Sequence, residues 1–339
     1  MASQVFGLDI GRSFIKIAEV KSAGTKKVLI VAESIATPGG GIMSESPIDL
    51  KKVSDSIKAL FSNLKMDTDK CAVSLIESQV VTRLIELPSL TDKELGAAIN
   101  WEAEQYIPLP IKDVNLNYKV ISRPQQGTEG KMEVLLVAAP KRVISKYITV
   151  VKNAGLKIEA METESSALTR ALTKDADATS IIVSLGAVST ELVIAKGGNV
   201  LFTRSAATGG VNLTKAIMSE FNLPQSQAEQ YKQTYGLMED KLGGKVAAVL
   251  RPILDILISE VSKAIEFTHL HSKDSQLSRL IICGGGAFLP GLSEFLAERT
   301  SLEVSLGDAW SDFSKEGVIL KKPGQGSLYS VATGLALRS

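Results

Sequence analysis

The period of the apolar positions changes several times along the chain, and each change marks an element. Residues 5–20 (VFGLDIGRSFIKIAEV) run apolar, break at a glycine-containing turn and resume in alternation, which predicts a β-hairpin. Residues 180–195 (SIIVSLGAVSTELVIA) repeat the plan, with Ser184 standing where the first copy has Asp9. Two copies of one unit, half a chain apart, predict a duplicated domain with a ligand cleft between the duplicates. Between them, Leu50, Val53, Ile57, Leu60, Phe61 and Leu64 recur at helical spacing, and the CAVSLI run that follows has the continuous apolar character of a buried strand.

A different unit follows. Residues 80–87 read as a strand, and TDKE at 91–94 is a capping box opening a helix through Leu95, Ala98, Ile99 and Tyr106, stopped by Pro108 and Pro110. Strands are predicted at 115–121 and 132–139, separated by a polar turn at 124–130, and a helix at 141–154 ends at Gly155. This β, α, β, β, α order reads as a compact α+β insertion in the first duplicate, and an insertion there offers a partner surface. The second half predicts helices at 211–221, 225–234 and 249–271, with Pro252 near the start of the last. It ends on a strand (LIICGG), a glycine-rich turn, a helix at 292–299, a strand (LEVSL) and a helix at 330–337. The division expected is a first domain of residues 1–79 and 159–196, including the second hairpin, interrupted by the insertion at 80–158. Residues 197–339 form the second domain, with a helical part at about 224–275.

Composition narrows the function. The chain has 339 residues, 45% hydrophobic and 22% charged, enough for two packed domains. Its 38 basic and 37 acidic residues give a net charge of +1 and are spread along the chain, which leaves no electrostatic footprint for nucleic acid. The start reads as a strand rather than a secretory leader, and no apolar run approaches the roughly 18 residues a membrane helix needs. The expectation is a cytosolic protein whose membrane association, if it has one, is borrowed from a partner. Cys71 and Cys283 lie in apolar strands, as buried thiols of a reducing compartment do. His269 and His271 lack metal-ligand spacing and read as structural.

The first hairpin carries candidate chemistry. Phosphates need clustered N–H donors, which a turn at Gly11, Arg12, Ser13 and Phe14 supplies, and Asp9 at the end of a buried strand suits Mg²⁺ held through water. The run IICGGGAFLPGL at 281–292 takes an apolar strand into three glycines and a helix start, where a base or ribose can lie against backbone. No G-x-G-x-x-G, no G-x-x-x-x-G-K-[ST] and no nucleophile–histidine arrangement occurs.

In order, GLDIG, the second hairpin, AEQYKQTYG, CGGGAFLPG and YSVATGLAL resemble the nucleotide-site segments of the actin-like ATPases. Within that superfamily, WEAEQYIPLPIKDVNLNY, EVLLVAAPKRVISKYITVVKNAGL and FTRSAATGG are similar to the PilM family of type IV pilus assembly, a relative of the cell-division protein FtsA. The resemblance implies an α/β, actin-like (ribonuclease H-like) duplicated ATPase fold with an FtsA-type inserted subdomain. It implies ATP and Mg²⁺, with Asp9, Gly11, Arg12, Ser13, Phe14 and Lys16 at the metal and phosphates and Gly186, Ala187, Val188 and Ser189 opposite. Glu229 and Lys232 would touch ribose and adenine, with Gly284, Gly285, Gly286 and Ala287 flanking the adenosine. Read by themselves, without the surrounding motifs, Glu229 and Lys232 are better taken as an exposed helical pair three apart.

One departure matters. Catalytically strong relatives begin the second hairpin with Asp, where this chain has Ser184, so the expectation is slow ATP hydrolysis at most. Glu162 and Glu164 in METES are both candidates for positioning water, and no catalytic base is assigned. The resemblance further implies binding to the cytoplasmic N-terminal tail of the membrane protein PilN, beside the insertion, with residues 80–87 and 94–106 as the region. The groove's individual residues stay unassigned. The alternatives are an FtsA-like filament former, against which the absence of a C-terminal amphipathic helix after ALRS weighs, and a small-molecule kinase of the same superfamily.

Overall fold

The structure is a computed structural model describing residues 5–23, 26–124, 130–173, 178–271, 277–314 and 317–338. The centre of the polar turn expected at 124–130 and the side chains of His269 and His271 lie outside the described residues. The first half begins with β1 (Phe6–Ile10), β2 (Phe14–Ala23), β3 (Lys26–Ala36), α1 (Pro47–Ser62) and β4 (Lys70–Leu75). The inserted unit follows as β5 (Val81–Pro88), α2 (Asp92–Glu104), β6 (Val114–Ser122) and β7 (Lys131–Pro140), and then come α3 (Lys141–Asn153), β8 (Lys157–Thr163) and α4 (Glu164–Leu172). The second half runs β9 (Thr179–Leu185), β10 (Thr190–Lys196), β11 (Asn199–Ala206), α5 (Gly210–Phe221), α6 (Gln225–Tyr235) and α7 (Lys245–His271). It closes with β12 (Leu277–Cys283), α8 (Leu292–Thr300), β13 (Glu303–Leu306), α9 (Val318–Lys321) and α10 (Ser330–Ala336).

The duplication is explicit in the sheets. One has the order β3-β2-β1-β4-β8 and the other β11-β10-β9-β12-β13, each with an antiparallel meander continued by two parallel strands. Helices α1 and α3 cover one face of the first sheet, where Val53, Ile57, Val143, Tyr147 and Val151 meet Phe6, Leu8 and Val73. Helices α5, α7 and α8 cover the far face of the second, meeting Ile181, Val183 and Ile282. Between the sheets lie α4 and α10, with Leu168 and Leu172 of α4 packing on Ile182 and Val193 and with α10 against β1. The three-stranded sheet β5-β7-β6 with α2 has its own core of Ile85, Leu95, Ile99, Met132, Val134 and Leu136. The capping box forms as expected: the Glu94 amide donates to Thr91 Oγ1 at 3.3 Å and the Thr91 amide to Glu94 Oε2 at 2.8 Å.

The packing redraws three expected boundaries. The second hairpin is β9–β10 and belongs to the second sheet, not to the first domain's end, because β9 pairs with β12 as β1 pairs with β4. Helix α3 covers the first sheet rather than completing the insertion, which is therefore β, α, β, β. The last helix, α10, returns to the first half, where the backbone of Ala332 comes so close to Gly7 that a Cβ there would lie 1.9 Å from a carbonyl oxygen.

Candidate nucleotide cleft

The two hairpins are built alike, atom for atom at the turn. The Gly11 amide donates to the Phe14 carbonyl at 3.1 Å and the Gly186 amide to the Ser189 carbonyl at 2.9 Å. In both, a Cβ on the glycine would meet that carbonyl oxygen at 2.8 Å, so only glycine closes the turn this tightly. Arg12 and Ser13 stand at the exposed apex of the first, and Ala187 and Val188 at the half-buried apex of the second. Register then sets the chemistry: Asp9 lies opposite Lys16 in the first hairpin, and Ser184 opposite Glu191 in the second. The duplicated position thus carries a carboxylate beside an ammonium in one copy and a hydroxyl beside a carboxyl in the other.

Asp9 is buried, and its carboxylate takes Lys16 Nζ at 3.4 Å and Ser74 Oγ at 3.2 Å. Burial pushes the Cys283 thiol of β12 up to about 12, against a hydrogen bond with Ser184 and, more weakly, the charge of Lys16.

The METES pair separates cleanly. Glu162 is held by Arg170, at 2.6 and 2.8 Å, and by Arg338 at 2.8 Å, so its acceptors are committed to fastening the last residues to α4. Glu164, the first residue of α4, is half-buried; desolvation first, then the charges of Asp9 and Glu191, push its carboxyl well above the usual range. Glu191 is raised to about 7, mainly by burial, against a hydrogen bond from Ser205 at 2.8 Å. The Tyr147 hydroxyl of α3 is pushed upward by burial, followed by the charge of Glu164. Glu77 is also raised by burial.

On the other side, α5 and α6 are tied by the expected pair. Lys232 Nζ donates to the Gly210 carbonyl at 3.2 Å, Thr214 Oγ1 at 2.8 Å and Glu229 Oε2 at 2.7 Å. Burial acts to raise the Glu229 carboxyl, but hydrogen bonds from Lys232, Thr214 and Gln233 outweigh it and hold it below the ordinary value. These residues are therefore not an isolated exposed pair. The start of α5 leans on the second hairpin, with the Gly210 amide on the Gly186 carbonyl at 3.0 Å and the Val211 amide on the Ala187 carbonyl at 2.8 Å. In the glycine turn after β12, Gly284 and Gly286 are required by the approach of Leu185, 2.7 Å from either built Cβ, whereas a Cβ on Gly285 meets nothing within 4 Å. Ala287 is buried beneath this turn. A separate groove of about 740 Å³ between α5 and α7, lined by Ala216, Phe221, Lys245, Val249 and Pro252, lies on the outer helical face away from these turns.

Glu77, Glu191, Tyr147 and Thr214 escape the sequence reading. A carboxylate in the apolar run TELVIA is a signal for Glu191, since a buried acid requires a partner. Glu77 and Tyr147 give no such signal, because only the fold turns them inward.

A family profile described as type IV pilus assembly protein PilM matches residues 7–339. The chain belongs to this family. In the solved PilM-PilN type IV pilus biogenesis complex, the similar chain is 27% identical with a TM-score of 0.85, covering 100% of this chain and 99% of that one. Among curated proteins, the cell division protein FtsA of Streptococcus pneumoniae is 21% identical over 88% of this chain and 74% of its own length. The ethanolamine utilization protein EutJ of Salmonella typhimurium is 25% identical over 160 residues, so the match spans about half the length of that relative, 51%. MreB5 of Spiroplasma citri bound to ADP shares the fold at a TM-score of 0.55 and 14% identity, over 96% of this chain and 93% of that one. The PilM-family chain thus has the actin-like duplicated fold. No helix among its described residues is long and apolar enough to cross a membrane.

Proposed function

We propose that this PilM-family chain is an ATP-binding scaffold of type IV pilus assembly, docking the cytoplasmic tail of a PilN partner beside the insertion, with the nucleotide as switch or structural ligand. The observation that carries the nucleotide reading is the twin hairpins of equal register, one supplying Asp9 and Lys16 and the other the apex 186–189. The donor set fits Mg²⁺–ATP. Mg²⁺ takes one or two carboxylates and otherwise phosphates and water, which suits Asp9 at the end of β1 and requires no three-ligand cluster, of which there is none among the described residues. Lys16 and the amides of Arg12 and Ser13 would hold phosphate oxygens, Lys232 and Glu229 the ribose and base edge, and the open face at Gly285 the adenosine. When bound, the metal would neutralise charge between the phosphates.

Glu164 is the carboxyl suited to orient a water, but desolvation and the neighbouring acids raise it well above the usual carboxylate range, and Ser184 adds no charge on the opposite hairpin. Both features weaken phosphoryl transfer, which depends on placed charge. The PilN assignment is supported by the matching PilM-PilN complex. Calorimetry with Mg²⁺–ATP and with a synthetic PilN tail peptide tests both halves: binding of each, with hydrolysis near background, is expected. Absence of ATP binding overturns the scaffold's nucleotide role, and efficient phosphoryl transfer to any small-molecule acceptor overturns the scaffold in favour of a kinase.

A further inference from the structure

We propose that Glu77 is a positioning residue that couples the nucleotide cleft to the inserted unit, an inference that rests on the nucleotide reading above. Glu77 lies in the 3-10 turn Glu77–Gln79 that leads from β4 into β5, and it is 5% exposed. Its amide donates to Glu164 Oε2 at 3.3 Å, and the Ser165 amide donates back to Glu77 Oε2 at 3.4 Å. The exchange fastens this turn to the first turn of α4, in the manner of a capping box made between two distant segments. The other oxygen, Glu77 Oε1, accepts the Thr82 hydroxyl at 3.0 Å, and the Thr203 hydroxyl bonds to the same carboxyl.

One side chain therefore joins three bodies. Ser165 and Glu164 belong to the helix between the sheets, Thr203 to β11 of the second sheet, and Thr82 to the second position of β5, the root of the insertion. A buried carboxyl keeps all its donors only in one relative placement of those bodies, since any hydrogen bond that breaks leaves a desolvated polar group behind. A shift of the α4 start, where Glu164 faces the proposed water position, must break this set or carry the turn with it. From Thr82 the displacement passes directly into the insertion, because β5 pairs with β7 over its whole length, from Val81 opposite Ala138 to Pro88 opposite Lys131. Packed elements of this kind transmit small shifts as rigid units. The same unit carries Trp101, 66% exposed on α2.

Hydrogen exchange of the full chain, read by mass spectrometry with and without Mg²⁺–AMPPNP, tests the coupling. In the parent, nucleotide is expected to slow exchange at both hairpins and also in β5 and α2. In Glu77→Ala the affinity is expected to stay within about threefold while protection of β5 and α2 is lost. Glu77→Gln should retain it, because the amide oxygen accepts Ser165 N–H while the amide nitrogen donates to the Thr82 hydroxyl, which can act as acceptor. Thr82→Val removes only the arm to the insertion and should lose that protection with the hairpins still responding, so it carries the test if Glu77→Ala does not fold. Protected hairpins with an unresponsive β5 in the parent, or an undiminished β5 response in Glu77→Ala or Thr82→Val, overturn the coupling while leaving nucleotide binding standing. A parent that binds no nucleotide overturns both.

Discussion

Arg170 grips Glu162 through both guanidinium nitrogens, at 2.6 and 2.8 Å, while donating from one of them to the Gly334 carbonyl at 2.6 Å. The pair binds β8, α4 and the C-terminal helix α10 into one unit in the space between the sheets. Glu162→Ala leaves Arg170 and Arg338 without their shared anion and is expected to cost about 2–4 kcal/mol of stability, measured by urea unfolding. Glu164→Gln, two residues on, is expected to leave stability nearly unchanged and to abolish any residual ATP hydrolysis. Equal effects of the two on hydrolysis would remove the distinction.

Asp9 supplies the only carboxylate proposed for Mg²⁺. Asp9→Asn is expected to lower Mg²⁺–ATP affinity by about tenfold or more, while the affinity measured in EDTA changes little. Calorimetry in both buffers checks this, and an equal loss in both would place Asp9 outside the metal site.

Two glycines, one in the turn after β12 and one in β1, should part ways. Gly285→Ala has room and is expected to fold with stability within about 1 kcal/mol of the parent while weakening ATP at least tenfold. Gly7→Ala drives a Cβ against the Ala332 carbonyl and is expected to destabilise by about 3 kcal/mol, since neither β1 nor α10 can retreat from a packed interior. Thermal unfolding and ATP titration of both variants separate the two roles.

Stability should fall as pH rises through the mildly acidic range. Glu191 has a folded value of about 7, above its unfolded value of 4.5, so between these the folded chain holds a proton that the unfolded chain has released. The slope is then negative, up to about 1.4 kcal/mol per pH unit for this group, and it levels off above pH 7. Glu164 and Glu77 are raised in the same direction. Urea midpoints from pH 5 to pH 8 should show the decline, and Glu191→Gln should flatten it. A variant whose profile parallels the parent's would assign the decline to other groups.

Much of the cleft was legible because its turns are local. Gly11 and Gly186 announce themselves by interrupting apolar runs, the 284–286 glycines by ending one, and Thr91 with Glu94 by spacing alone. Local chemistry of this kind needs no knowledge of what lies opposite. The Glu229 and Lys232 pair was ambiguous for the converse reason: its partners Gly210 and Thr214 lie on another helix, which spacing does not report.

The sequence by itself determined the elements, the duplication and the family, since alternation, helical spacing and turn residues are properties of neighbours along the chain. Only the tertiary structure decided that the second hairpin joins β12, that α3 covers the first sheet and that α10 returns to Gly7. An apolar face states that it must be covered and is silent on what covers it. The same reason separates Glu162 from Glu164: two acids in five residues look alike until one meets Arg170 and the other feels the charges of Asp9 and Glu191.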